Sequence, residues 1–197
     1  MKYILSILMI VGLTLSSYSK SKEVGENIDV THYEIHLNEI NVADRIIDAT
    51  TIITLKTLTS IDGIELELKS LDVTSVTSDD AIINNFSQNG DVLSVTFENP
   101  VPANTTISLT VNYGGTTFNE SWGGIHWSND YVYNLGVGFD SQPHNLGKTW
   151  FPCVDNFTDK ASYDLYLTIP SDMVSSCGGL LEDSQDNGDG TKTDHWH

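Results

Sequence analysis

Apolar and polar positions alternate with a period of two along most of this chain from Asp29 onward. Tyr33, Ile35 and Leu37 alternate with His32, Glu34 and His36, and Ile47 to Leu55 continues the pattern with β-branched residues. Ile64, Leu66 and Leu68 alternate with Glu65, Glu67 and Lys69, and Leu93, Val95 and Phe97 follow the turn Gln88-Asn89-Gly90-Asp91. Ile107, Leu109, Val111 and Tyr113 precede Gly114-Gly115, and Ala161 to Ile169 repeats the alternation before Pro170. Successive side chains of an extended strand point to opposite faces, so each run predicts a strand with one buried face. No long stretch carries the 3.6-residue period of an amphipathic helix. The predicted class is mostly β, with antiparallel sheets packed as a sandwich.

Residues 118–157 break the alternation. They hold Trp122, Trp127 and Trp150 together with Tyr131, Tyr133, Phe139, Phe151 and Phe157, interrupted by glycines. So aromatic a stretch predicts long ordered loops packed on the sheets, where binding residues usually sit. Asp186-Asn187-Gly188-Asp189-Gly190 has the acids of a calcium loop but not the EF-hand spacing, since Gln185 and Trp196 stand at its first and twelfth positions. Asp-Gly between strand-like flanks is read as a hairpin turn.

The start of the chain changes the picture. Met1-Lys2, the apolar run Ile4 to Leu15 and the small residues Ser17 and Ser19 have the layout of a secretory signal peptide, residues 1–19, leaving a single domain over 20–197. The apolar run is roughly 12 residues, short of the roughly 20 needed to span a bilayer, so no stable membrane anchor is expected. Removing the leader leaves 27 acids against 8 bases, a net charge of −19. Such a surface repels phosphate backbones, which argues against nucleic acid as a partner, and attracts cations such as a peptide's α-ammonium. A secreted or periplasmic location is oxidising, so Cys153 and Cys177 could bridge, closing a loop of about 25 residues worth roughly 3 kcal/mol, or both could be ordinary buried thiols.

No complete catalytic set is present. The zinc motif His-Glu-x-x-His and the nucleophile elbow Gly-x-Ser-x-Gly are both missing from the 197 residues. His32, Glu34 and His36 share one face of a predicted strand with neighbours roughly 6.6 Å apart, poorly placed to converge on one ion. They are read as a polar outer face, and His195 and His197 as strand alternation.

One stretch is more specific. Gln142-Pro143, then Phe151-Pro152-Cys153-Val154-Asp155, then Lys160-Ala161-Ser162-Tyr163 resembles the end of the N-terminal domain of M1-family zinc aminopeptidases, those related to aminopeptidase N and leukotriene A4 hydrolase. Val30 to Ile35, Ile46 to Leu55 and Ile107 to Tyr113 resemble that domain's earlier strands. The resemblance implies a saddle-like β domain covering one side of an active site, with a Gln-or-Glu loop that holds the substrate's free α-amine. The stretch between Gln142 and the Phe-Pro-Cys segment is one residue longer than the family's usual spacing, so this role falls on Gln142 or on Asp140, with Gln142 preferred because it keeps the following proline. Cys153, Asp155 and Lys160 are expected to be structural; Asp155 could pair with Lys160 to hold this loop, Lys148 and Lys160 being the only nearby cations in the sequence. The resemblance implies zinc in the intact enzyme but assigns no metal ligand and no catalytic residue to this chain, which is expected to stop before the catalytic domain. The competing reading is a free-standing secreted module that grips peptide or carbohydrate through Trp122 and Trp127 beside Gly123-Gly124.

The purified 197-residue chain is accordingly expected to turn over no aminoacyl substrate and to carry no stoichiometric zinc. Metal-dependent turnover that co-purifies with the chain would overturn this expectation.

Overall fold

The computed structural model describes residues 23–129 and 131–197; the leader peptide read over 1–19 lies outside them. Thirteen strands form among these residues: β1 (Ile28–Asn41), β2 (Ile46–Thr57), β3 (Ile61–Glu67), β4 (Asp72–Thr77), β5 (Ile83–Asn89), β6 (Val92–Val101) and β7 (Thr106–Thr116), followed by β8 (Asn119–Glu120), β9 (Gly123–Trp127), β10 (Val132–Leu135), β11 (Ser162–Pro170), β12 (Leu181–Asp186) and β13 (Thr191–Trp196). They build a seven-stranded sheet ordered β12-β13-β11-β1-β2-β7-β4 and two three-stranded sheets, β3-β6-β5 and β10-β9-β8. No helix among the described residues is long and apolar enough to cross a membrane.

The alternation seen in the sequence is the alternation of burial. Ile47, Ala49, Thr51, Ile53 and Leu55 of β2 face inward, as do Ile107, Leu109, Val111 and Tyr113 of β7. They share one apolar core with Ile64, Leu66, Leu93 and Val95 of the β3-β6-β5 sheet. In β1 the buried positions change parity, from Ile28 and Val30 to Tyr33, Ile35 and Leu37. A register shift against β2 between Val30 and His32 accounts for this, because an extra residue in one strand moves all later side chains to the other face. The turns follow the same local chemistry. Gly90 supplies φ +60 between β5 and β6, and Gly188 supplies φ +77 between β12 and β13. Asp186 and Asp189 accept hydrogen bonds from the amides of Gly188 and Thr191, both at 2.9 Å, so these acids cap their own turn.

The sandwich is not wholly antiparallel. β11 runs parallel to β1, with His32 opposite Ser162 and Leu37 opposite Leu167. A parallel neighbour requires a long connection back to the same end of the sheet, and the aromatic segment after β7 provides it. This pairing gathers three of the sheet's histidines around one carboxylate on its outer face. Asp164 Oδ2 lies 3.2 Å from His32 Nε2, and its Oδ1 accepts hydrogen bonds from His195 Nε2 and, at 3.1 Å, His197 Nδ1. His36 binds Glu34 at 2.7 Å and stacks on Tyr166, which stacks on His195.

A second charged group ties the aromatic segment to the core. Lys148 is buried, with its Nζ 2.6 Å from Glu67 Oε1 and 3.8 Å from Asp155 Oδ2. Burial disfavours the ammonium, but the hydrogen bond and charge of Glu67, aided by Asp155, outweigh it and hold its pKa above the ordinary lysine value.

Two stability measurements check these contacts. Lys148→Met strands the Glu67 carboxylate and should cost about 3 kcal/mol of unfolding free energy, read from the denaturant midpoint, while Lys148→Met with Glu67→Leu should recover part of it. Asp164 is pushed up by partial burial but pulled further down by its bonds from His195 and His197, so its folded pKa is lowered. Its contribution is therefore present above about pH 4 and is lost as pH falls through the folded pKa. Asp164→Ala should cost about 1–2 kcal/mol at neutral pH and progressively less below pH 4; equal losses at pH 7 and pH 2 would refute this linkage.

Candidate functional site

The segment after β10 folds back on itself as a loop over residues 136–146. Val137 bridges Asn145, the Gly138 amide donates to the His144 carbonyl at 2.8 Å, and the Leu146 amide donates to the Gly136 carbonyl at 2.8 Å. Phe139, Asp140, Ser141, Gln142 and Pro143 form its tip, with a cis bond between Gln142 and Pro143. The structure therefore puts Gln142 and Asp140 on the same exposed tip but in different surroundings. Gln142 Nε2 donates to His144 Nε2 at 3.1 Å, and its Oε1 accepts no hydrogen bond from a described residue. Asp140 Oδ2 accepts a short hydrogen bond from Ser121 Oγ and a longer one, 3.4 Å, from the Ser121 amide.

The turn between β8 and β9 lies against this tip. Glu120 Oε1 accepts from the Asp140 amide at 3.0 Å, and Oε2 accepts from Ser141 Oγ at 2.6 Å. The Ser141 hydrogen bond, followed by that from Asp140, holds the Glu120 carboxyl below the usual carboxylate range. The close approach depends on Gly138, where a Cβ would stand 1.9 Å from Glu120 Oε1. Nothing in the alternation of the sequence singles out Glu120; the one available signal is a carboxylate three residues before Gly123-Gly124 in an aromatic stretch.

Exposed rings surround the tip. Trp122 is 51% and Phe139 69% exposed, and they stack at 5.9 Å, with His144 edge-on to Phe139. Trp127 does not join them. It packs against the core with its Nε1 donating to Thr117 Oγ1 at 2.8 Å, so the expected Trp122–Trp127 surface is instead a Trp122–Phe139 surface.

The base of the loop is anchored by the Phe-Pro-Cys segment. Phe151, Pro152 and Cys153 are buried, and Cys153 pairs backbone to backbone with Glu67 at 2.7 and 3.0 Å. Asp155 Oδ1 accepts from the Gly147 amide at 3.3 Å, and the Asn145 side-chain amide donates to the Asp155 carbonyl. The expected Asp155–Lys160 pair does not form. Lys148 projects from the same loop beneath Asp155, whereas Lys160 is exposed and makes no ion pair with a described residue. Cys153 and Cys177 are both free thiols. Burial, then the nearby carboxylates of Asp155 and Glu67, push the Cys153 thiol well up, so it is neutral and unreactive. An open cleft of about 370 Å³ lies at this base, lined by Tyr33, Asn145, Trp150, Asp155, Phe157 and Tyr163 among others; Gln142 is not among its lining residues.

No three His, Cys, Asp or Glu side chains among the described residues are placed to hold a metal ion.

With this geometry in hand, comparison with known proteins is informative. Residues 29–197 match the Peptidase M1 N-terminal domain family. Leucine aminopeptidase 2 of Coccidioides immitis (strain RS) is 24% identical over 181 residues, 87% of this chain and 28% of that protein. A Drosophila melanogaster transcription initiation factor, TFIID subunit 2, is 46% identical over 39 residues, 19% of this chain and 3% of that protein. Among solved structures, an M1 zinc metallopeptidase mutant from Deinococcus radiodurans bound to a Tyr-Ser-Ala substrate superposes with a TM-score of 0.73 at 22% identity, covering 87% of this chain and 39% of that one. A two-domain M1 zinc metallopeptidase mutant bound to L-arginine gives a TM-score of 0.75 at 21% identity, covering 87% and 39%. The chain thus spans well under half the length of these relatives. It belongs to the peptidase M1 N-terminal domain family.

Proposed function

We propose that this chain is the substrate-amine-binding, active-site-covering N-terminal part of an exported zinc aminopeptidase, and that Gln142 holds the α-ammonium of the peptide. The observation that carries this reading is the division of labour at the loop tip. Asp140 ties its Oδ2 to Ser121, while Gln142 commits an N–H to His144 and so aims a carbonyl oxygen that accepts from no described donor. An exposed acceptor whose other end is tethered suits an ammonium, which brings three N–H donors and no acceptor. The relatives fit the same ligand chemistry, since the Deinococcus protein is described with Tyr-Ser-Ala and other M1 structures with L-tryptophan or L-arginine, all of which carry a free α-amine. The net charge of −18 favours approach of such a cation. The role proposed for this chain is binding and orientation, not bond cleavage. The leader over residues 1–19 is the basis for export.

The test uses an active peptidase that contains this domain. Gln142→Ala removes a charge-assisted hydrogen bond worth about 1.5–3 kcal/mol, or roughly a 10- to 150-fold loss in kcat/KM. The loss should be confined to substrates with a free amine, and N-acetylated substrates should be unchanged. Asp140→Asn should be nearly silent, because an amide oxygen can still accept from Ser121. A large loss in Asp140→Asn with none in Gln142→Ala would move the role to Asp140, and silence in both would end the amine-binding reading.

A further inference from the structure

The loop that carries Gln142 has an exposed, acidic tip with no described lysine or arginine bonded to it, yet it is tied in place. Two carboxylates do this reciprocally. Glu120, at the end of β8, reaches across and accepts from the Asp140 amide at 3.0 Å and the Ser141 hydroxyl at 2.6 Å. Asp140 reaches back and accepts from the hydroxyl and amide of Ser121, the residue after Glu120. Each acid thus bonds the backbone or hydroxyl beside the other, and the β8–β9 turn and the loop tip are joined by four hydrogen bonds. Both oxygens of Glu120 are used, so Glu120 has no oxygen free of a donor to offer a substrate.

The backbone is shaped to admit this contact. A Cβ on Gly138 would lie 1.9 Å from Glu120 Oε1, and one on Gly123, at φ +136, would lie 2.5 Å from the Val137 carbonyl. Glycine at both places lets the turn and the loop approach as closely as the hydrogen bonds require. Gln142 follows Ser141 directly, so the Glu120–Ser141 bond fixes the backbone one residue before the side chain that the proposed function uses. His144 then fixes the amide itself.

We infer that Glu120 is a positioning residue: it latches the loop tip so that the Gln142 carbonyl oxygen is presented in a single orientation to the incoming α-amine. This inference rests on the proposed role of Gln142 and adds to it. A side chain held in place by its neighbours binds without a further loss of rotamer and loop freedom on association.

The test is a double-mutant cycle in a peptidase containing this domain, together with amide hydrogen exchange on the 197-residue chain. Glu120→Ala and Gln142→Ala should lower kcat/KM for free-amine substrates by similar factors, and the double variant should be no worse than either within about twofold. The ratio of free-amine to N-acetylated turnover should fall in both, which a general loss of folding would not produce. Glu120→Gln should restore most of the activity, because its oxygen can accept from the Asp140 amide while its nitrogen donates to Ser141. Gly138→Ala, which displaces Glu120 without altering it, should behave like Glu120→Ala. In the isolated chain, the Asp140 amide should exchange faster in Glu120→Ala while amides of β2 and β7 keep their protection. A silent Glu120→Ala beside a damaging Gln142→Ala, or losses that multiply in the double variant, would overturn the inference. If Gln142→Ala is itself silent, the amine-binding reading falls. The latch is then judged by exchange alone: unchanged protection at Asp140 overturns it, and faster exchange upholds its hold on the tip.

Discussion

Two buried tyrosines carry the constraint on which the rest of this structure depends. The chain leaves the seven-stranded sheet at the end of β7 and must return to the open edge of β1, and the segment between is mostly outside the sheets. Its backbone groups still need partners wherever it is buried. Tyr33 accepts a hydrogen bond from the Val154 amide at 3.1 Å, and Tyr113 donates to the Trp150 carbonyl at 3.0 Å while Thr51 donates to Tyr113. Both phenols are pushed well above the ordinary tyrosine pKa, chiefly by burial, so they stay neutral and keep these roles at any physiological pH. Phe151 packs edge-on to Tyr33 at 5.2 Å, and Cys153 adds the sheet-like pairing with Glu67. With the segment pinned at these points, β11 returns to pair in parallel with β1, and the loop tip stays exposed.

The long strands were legible because a two-layer β structure buries alternate residues, and the sequence repeats that alternation in β1, β2, β6 and β7. Several shorter strands were not. β5 buries little, with Asn84, Asn85 and Asn89 among its residues, and β12 is an edge strand exposed throughout, so neither needs an apolar face. β8 and β9 meet through Gly123 and Gly124, which carry no side chain for a periodic pattern to reveal. The parallel direction of β11 was equally hidden, since alternation reports which face is buried and not which way a strand runs.

The loop that carries the candidate residues was legible in the sequence, but its contacts were not. Residue types around Gln142-Pro143 and Phe151-Pro152-Cys153 marked the loop, yet the pairing of Asp155 with Lys160 was mistaken. Nearness in sequence favoured Lys160, but the turn at Gly147–Thr149 directs Lys148 inward beneath Asp155 toward Glu67, 81 residues earlier in the chain. Glu120 was missed for the same reason: its partners lie about 20 residues away and are a backbone amide and a hydroxyl, groups that almost any sequence offers.

The chemistry of the tip explains why a neutral amide is a reasonable choice where carboxylates are abundant. Charge attracts an ammonium at long range, but that attraction is screened over about 10 Å at ordinary salt and says little about direction. Glu120 and Asp140 supply the charge, while both oxygens of Glu120 and Oδ2 of Asp140 are spent on holding the loop. An amide oxygen tethered through its own nitrogen to His144 supplies direction, because the group cannot rotate without losing that bond. A carboxylate at position 142 would present two equivalent acceptors beside two existing negative charges and could not donate to His144. In the proposed function, then, attraction and orientation are divided between residues: the acids draw the amine and brace the loop, and the glutamine meets it.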